Sequence, residues 1–302
     1  MMPSYTVQTR TRIHRHCALA IVTSLFIGCT EPNELRVMSF NLRSGTAADG
    51  PDRWERRRES LVRTIAAFEP DVLCTQECLA FQADYLSKKL RIYDYVGAGR
   101  DDGKREGEMV AIFIRRERLE VLEQGHFWLS DTPEKAGSVG WDAACTRMVT
   151  WVKVRTRGDP PEQFYVFNTH LDHRGTRARI ESAWVLRKRM QMIAGSEPII
   201  LAGDFNAPPD SASDGPYRLL RANEGSTGAP LRDTYRQVHK RVRAHEGTFH
   251  GFTGRLTGQR IDWILATPHF DCLRAAIDHS NSAGRYPSDH FPVRAELVLR
   301  ER

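Results

Sequence analysis

"PIILAGDFNAPPDS", Pro198 to Ser211, decides how the rest of the chain is read. An apolar run stops at Gly203. Asp204 and Asn206 follow, with Phe205 between them, and then Pro208 and Pro209. A short apolar run bounded by glycine and proline reads as a buried strand. Side chains alternate along a strand, so Phe205 points away from its two polar neighbours and into packing. Gly203 permits a close backbone approach, and the prolines stiffen the exit. The stretch therefore predicts a core strand that delivers an acid and an amide to one strand tip.

The same pattern recurs along the chain. "LRVMSFNLR", Leu35 to Arg43, ends near Asn41, and "DVLCTQE", Asp71 to Glu77, ends in Glu77. "QFYVFNTHLD", Gln163 to Asp172, ends in His170 and Asp172, and "RIDWILAT", Arg260 to Thr267, carries Asp262. "SDHFPV", with Asp289 and His290, precedes a last strand at "RAELVLR", Arg294 to Arg300. Further strands are predicted at "MVAIFIRR", "LEVLEQGHFWL" and "RMVTWVKVRT". Helical spacing marks "DRWERRRESLVRTIAAFEP", ended by Pro70, a stretch around Ala80–Leu90, and "TRARIESAWVLRKRMQMIAG" with Gly195 as its C-cap. The run "RWERRR" within the first helix reads as a solvated face. Strands interspersed with helices predict helices packed outside a β core.

Composition bounds the possibilities. The chain has 302 residues, 40% hydrophobic and 27% charged, which is ordinary for a soluble protein. No repeat or linker divides it, so one domain is expected over residues 35–302. The net charge of +6 is partly local: residues 1–28 hold Arg10, Arg12 and Arg15 and no acid, and 44 basic residues less these three leaves 41 against 38 acids. That is not the footprint of a strong non-specific nucleic-acid binder, although local basic patches such as "RWERRR" at Arg53–Arg58 can still serve. The three arginines and the apolar "ALAIVTSLFIG" read as an export signal over residues 1–28, too short to span a bilayer. Cys29 resembles the lipidated cysteine of bacterial lipoproteins, with residues 29–34 as a short tether. The expectation is an exported protein, in the periplasm or at the cell surface and anchored through Cys29. Cys74 lies in an apolar run and reads as a small buried hydrophobe. No cysteine and histidine spacing matches a structural zinc site.

Each polar strand end has an ordinary explanation taken alone: asparagine forms turns, and "GDFN" before two prolines fits a turn without chemistry. Taken together they supply hard oxygen ligands, two histidines and two amides, a set suited to metal-assisted phosphoryl chemistry. The ordered segments "SFNLR", "TQE", "NTHLDH", "GDFNAPP", "RIDWI" and "SDHFPV" resemble the endonuclease/exonuclease/phosphatase superfamily over about Leu35 to Leu299.

That resemblance implies an α+β fold: a four-layer αββα sandwich, two mixed sheets face to face with helices on both outer faces. It implies Glu77 as the main metal carboxylate, with Asn41 beside it and Asp289 as a further ligand or water-mediated contact. His290 resembles the essential histidine, oriented by Asp262. Asp204 and Asn206 resemble the pair that holds the attacking water and a phosphate oxygen. His170 resembles a second histidine, and Arg147 a phosphate-contacting arginine; His173 is a further candidate for substrate contact.

The physical reasons stand beside the resemblance. A divalent cation neutralises an anionic phosphate, and Mg²⁺, with Mn²⁺ as a substitute, suits a few carboxylates. A His–Asp pair can deprotonate water, and Asp204 can do so instead while His290 holds the phosphate. His170 can donate to phosphate or protonate the leaving group. The chain is expected to hydrolyse a phosphodiester by direct attack of water, since no activated Ser or Cys motif points to a covalent intermediate. A phosphomonoester, a lipid headgroup or a catalytically inactive surface binding module are the alternatives. Nucleic acid, lipid headgroup and small phosphate ester all stand as substrates. Arginines and the lysine of the loop in "GRDDGKREGEMVAIFI", Gly99 to Ile114, are further candidates to reach phosphate, or else decorate a solvated turn.

Overall fold

The computed structural model describes residue 1 and residues 34–209, 215–222 and 230–300. The export and lipid-anchor readings, Cys29 included, therefore lie outside the described residues. The chain divides into a leading unit, Met1–Glu31, and a body, Pro32–Arg302, which is described here. Among the described residues no helix is long and apolar enough to cross a membrane.

Apolar alternation builds the body. One sheet runs in the order β11 (Phe270–Ile277), β12 (Val293–Leu299), β1 (Glu34–Asn41), β2 (Val72–Gln76), β4 (Ile112–Arg115), β3 (Tyr93–Val96). The other runs β5 (Leu119–Trp128), β6 (Met148–Thr156), β7 (Gln163–His170), β8 (Ile199–Asp204), β10 (Asp262–Ala266), β9 (Arg232–Asp233). β1 pairs with β2, and β7 with β8, in parallel; the other pairs are antiparallel, so both sheets are mixed. Val37, Val72 and Ile112 of the first sheet pack with Val152, Val166, Ile200 and Ile264 of the second. The residues between them in sequence face outward. Met38, Phe40 and Leu73 pack on α1 (Trp54–Phe68) and α2 (Ala80–Lys89). Phe167, Leu201 and Trp263 pack on α3 (Thr176–Ala194) and α4 (Pro216–Arg221). A short α5 (Thr234–Val238) follows β9. The result is the expected four-layer αββα sandwich.

The strands β3, β9 and β11 and the helices α4 and α5 were not predicted. β11 exposes Leu273 and carries a bulge between Cys272 and Arg274, which breaks the period-two pattern. Gly203 is needed where β7 and β8 meet: a Cβ there would lie 2.3 Å from the Thr169 carbonyl. Gly195 ends α3 with φ 57, as expected of a C-cap. Cys74 is fully buried in the inter-sheet core, and Cys74, Cys78, Cys145 and Cys272 are all free thiols.

The inter-sheet face changes character along its length. Apolar up to Val37, Cys74, Val166 and Ala202, it then becomes polar at Ser39, Gln76 and Asn168. Gln76 Nε2 donates to Asn168 Oδ1 (2.7 Å), and Asn168 Nδ2 donates to the Thr75 and Ala111 carbonyls (2.8 and 3.0 Å). These fully buried bonds fix the two sheets in register. One step further along the same face come Asn41, His170, Asp204 and Asp262.

"RWERRR" is not a wholly solvated face. Arg57 is 3% exposed and donates to the carbonyls of Asp52, Leu42, Arg43 and Pro287. One guanidinium, with its planar fork of donors, thus ties the end of β1 to the loop that carries Asp289 and His290. Arg57→Ala would leave these carbonyls without their donor, and the expected loss is about 2–4 kcal/mol of unfolding free energy. Urea denaturation checks it; a change under 1 kcal/mol would show that the loop is held by other means.

Candidate active site

Strand register sets the site. His170, Asp204 and Asp262 are direct neighbours across β7, β8 and β10. From the other sheet come Asn41, at the tip of β1, and Glu77, just past β2. Alternation alone would turn Glu77 away, because Gln76 already faces inward. Glu77 instead adopts φ 54 and Asn206 φ 47, a left-handed backbone uncommon for such residues, and both line the cleft.

Asn41 joins the sheets. Its Nδ2 donates to Glu77 Oε1 and to Asp204 Oδ2, both at 3.0 Å, while its Oδ1 accepts from the Arg43 N–H at 2.9 Å. Expected as a metal neighbour, Asn41 stands here as a spacer between two carboxylates. The Ser44 N–H donates to Glu77 Oε2 (2.8 Å). Asp289 reaches the same cleft, with Oδ2 3.6 Å from Arg43 Nε and Oδ1 accepting from Ser288 Oγ.

The two histidines differ sharply. His290 Nδ1 lies 2.9 Å from Asp262 Oδ2, which orients the ring so that Nε2 faces Asp204 Oδ2 at 3.8 Å. Burial opposes charge on His290, but Asp262 and Asp204 outweigh it and hold the imidazole up at about 10. His170 Nε2 lies 2.9 Å from Asn206 Nδ2 and 3.5 Å from Asp204 Oδ2. Burial, then the charges of Arg147 and Arg100, drive it well below its ordinary value, so it stays neutral. Burial and the charge of Asp262 push Asp204 up to about 7. Burial also tends to raise Glu77, but hydrogen bonds from Asn41 and Ser44 and the charges of His290 and Arg43 bring it below the usual carboxylate range.

The cleft has a volume of about 380 Å³. Arg147 lines it, 5% exposed; Nη1 makes no hydrogen bond, and Nε lies 3.5 Å from Asp172 Oδ2 as an ion pair. Its Nη2 lies 3.0 Å from His173 Nδ1, at the exposed edge. Asp172, just past the end of β7, pairs with Arg147. It accepts from the N–H groups of Ala144, Arg174 and Gly175, and the first turn of α3 is capped by Asp142, which accepts from Ala178 N at 2.6 Å.

All ten candidate residues fall in or beside this one cleft. Sequence reading did not single out Arg43, Ser44, Glu108 and Phe249, which also line it. Of the loop cations, Arg100 lines the cleft and Arg105 turns away to Asp84. The one signal for Phe249 is its setting in "TFHGF", an aromatic and histidine cluster between glycines.

The donors fit a hard divalent cation. Glu77, Asp204 and Asp289 offer carboxylate oxygens in one cleft, and Asp289 is raised by burial and by the charge of Glu77, a repulsion that a cation relieves. Asp204, Asp262 and His290 also bring ligand atoms within 4.8 Å of one another. There, however, Asp262 and His290 Nδ1 are already committed to each other.

Such a cleft, with carboxylates, paired histidines and a buried arginine at the strand tips of an αββα sandwich, defines a phosphoesterase class. The endonuclease/exonuclease/phosphatase family model matches residues 38–290, and the chain belongs to that family. Its members are phosphoesterase hydrolases, generally dependent on a divalent metal. An endonuclease/exonuclease/phosphatase family protein from Bacteroides thetaiotaomicron is 34% identical with a TM-score of 0.80, over 90% of this chain and 100% of that one. A mannosyl-6-phosphatase from Bacteroides thetaiotaomicron VPI-5482 is 35% identical with a TM-score of 0.76, over 88% and 100%. Nocturnin of Drosophila melanogaster is 28% identical over 89% of this chain and 47% of its own length. The chain spans about half the length of the Drosophila melanogaster relatives it matches, Nocturnin and Protein angel.

His290 generates a pH test. Its folded value lies above its unfolded value of 6.5, so its contribution to stability is full below 6.5 and is lost as pH rises through about 10. In chelator-treated protein, urea midpoints should therefore fall between pH 6.5 and 10, and Asp262→Asn should flatten that limb. An unchanged slope in Asp262→Asn would remove Asp262 as the cause.

Proposed function

We propose that the protein is a Mg²⁺-dependent phosphoesterase that hydrolyses small phosphate monoesters by direct attack of water. The observation that carries this reading is Arg147: buried, its Nε held 3.5 Å from Asp172 Oδ2 and its Nη1 making no hydrogen bond, in one cleft with Glu77, Asp204, Asn206 and His290. A buried arginine fork matches phosphate oxygens. A terminal phosphate carries more charge than a diester, and Arg147 with protonated His290 supplies two cationic contacts besides the metal. Similarity to a mannosyl-6-phosphatase points the same way. The diester expected from sequence stands as the second reading, supported by similarity to the rat Tyrosyl-DNA phosphodiesterase 2, 24% identical over 82% of this chain.

Glu77 and Asp289 would hold the ion. When bound it supplies charge neutralisation for the phosphate and the leaving oxygen. Asp204, poised near neutrality, takes a proton from water. His290 is protonated at neutral pH and donates its Nε2–H to a phosphate oxygen. Asn206 and Arg147 fix the other oxygens. The water oxygen bonds to phosphorus and the bond from phosphorus to the alcohol oxygen breaks. The alcohol takes a proton from solvent, and Asp204 returns its own. Export through the leading segment belongs to the same reading and would place the activity outside the cytoplasm.

Asp204→Ala and His290→Ala should each lower kcat on 4-nitrophenyl phosphate by about 10²–10⁴-fold, with native circular dichroism. Chelator should abolish turnover and Mg²⁺ restore it. Wild-type-like turnover in either variant would overturn the assigned roles, metal-independent turnover would overturn the Mg²⁺ dependence, and absent turnover in the native protein would favour a binding module.

A further inference from the structure

One wall of the cleft takes no part in this chemistry. Arg100 and Glu108 line it from the connection between β3 and β4, and Arg100 Nη1 meets Glu108 Oε2 at 2.5 Å. The connection is folded tightly on itself. The Arg100 N–H donates to the Glu108 carbonyl (3.1 Å), Asp101 to Glu106 (3.1 Å) and Gly103 to Gly99 (2.9 Å). A Cβ at Gly99 would lie 2.2 Å from the Glu106 carbonyl, so only glycine lets the two limbs close. Its base is pinned to the opposite sheet. Trp128 Nε1 donates to the Arg100 carbonyl (2.6 Å), and Ala98, Val110, Trp128 and Met148 form a small apolar cluster beneath. The pair is therefore fixed in place, unlike a loose surface ion pair.

A carboxylate on this wall is unexpected in a cleft for phosphate. Glu108 weakens the attraction for an anion and faces the field of Glu77. Among the described residues, Arg100 is the only hydrogen-bond partner of its carboxylate, and that bond engages Oε2, while Arg100 Nε is buried 3.9 Å from Asp101 Oδ1. Glu108, part-exposed and held in place by Arg100, thus offers acceptor oxygen to neighbouring hydroxyls. Arg100 is neutralised by Glu108, so this wall supplies no net positive charge for a second phosphate. Phe249, half exposed on the same cleft, offers an apolar face to ring C–H groups.

Resting on the monoesterase reading, we propose that Arg100 and Glu108 form the subsite for the alcohol part of the substrate and select a hydroxyl-rich, singly phosphorylated molecule such as a sugar phosphate. A site built to hydrogen-bond hydroxyls discriminates strongly against an analogue that lacks them.

The test compares kcat/KM of the Mg²⁺-loaded protein on a hexose 6-phosphate and on butyl phosphate, both monoesters of a primary alcohol. The native protein should prefer the hexose 6-phosphate by about 100-fold. Glu108→Gln, with an unchanged melting temperature, should shrink that preference by about tenfold or more. Equal losses on both substrates would mean that Glu108 only holds Arg100, and no loss on either would remove the pair from the site; both overturn the proposal. A native protein that hydrolyses the two equally refutes this inference alone. One that hydrolyses neither, yet cleaves bis(4-nitrophenyl) phosphate, refutes the monoesterase reading and this inference with it.

Discussion

Two carboxylates from different sheets share one amide. Asn41 Nδ2 bridges Glu77 and Asp204 at 3.0 Å each, and the rest of the site is arranged around that bridge. Carboxylates this close repel, and burying them raises the penalty. The fold offsets it locally: Ser44 and Asn206 donate backbone N–H groups, one to each carboxylate, and His290 brings positive charge. The bridge holds only if the sheets keep their register, which the buried bonds among Gln76, Asn168, Thr75 and Ala111 secure. A sandwich core that becomes polar along its inner face therefore both locks the sheets and delivers the site.

Much of this was legible in the chain because alternation is a strong signal. Val166, Asn168 and His170 share a face by strand geometry, as do Ala202 and Asp204, with Phe205 opposite, stacked on Trp263 at 4.3 Å. Once the strands are placed, their polar ends must meet at a rim. The resemblance then supplied the layer order and the roles, which periodicity does not contain.

What was not legible depends on local exceptions. Glu77 has the wrong parity for the site and reaches it through a left-handed turn. Arg57 sits in a run of charge that conceals a buried guanidinium bonded to four carbonyls. Asp142, from a loop well before it in sequence, caps the first turn of α3. Arg100 and Glu108 come from a connection without period, and their place in the cleft follows from Trp128 and Met148 on the other sheet. Apart from Glu77, whose exception lies in its own backbone, these cases rest on contacts between separate segments. Glu77 and Asn206, both left-handed, are also where backbone strain and chemistry coincide, as such sites permit.

The most direct measurement is anomalous diffraction from crystals of the native protein soaked with Mn²⁺ and inorganic phosphate. Manganese should bind the Glu77 carboxylate, with phosphate oxygens on Arg147, Asn206 and His290. Manganese bound to Asp262 and His290 with Glu77 left unligated, or phosphate bound away from Arg147, would contradict the assignment of this cleft.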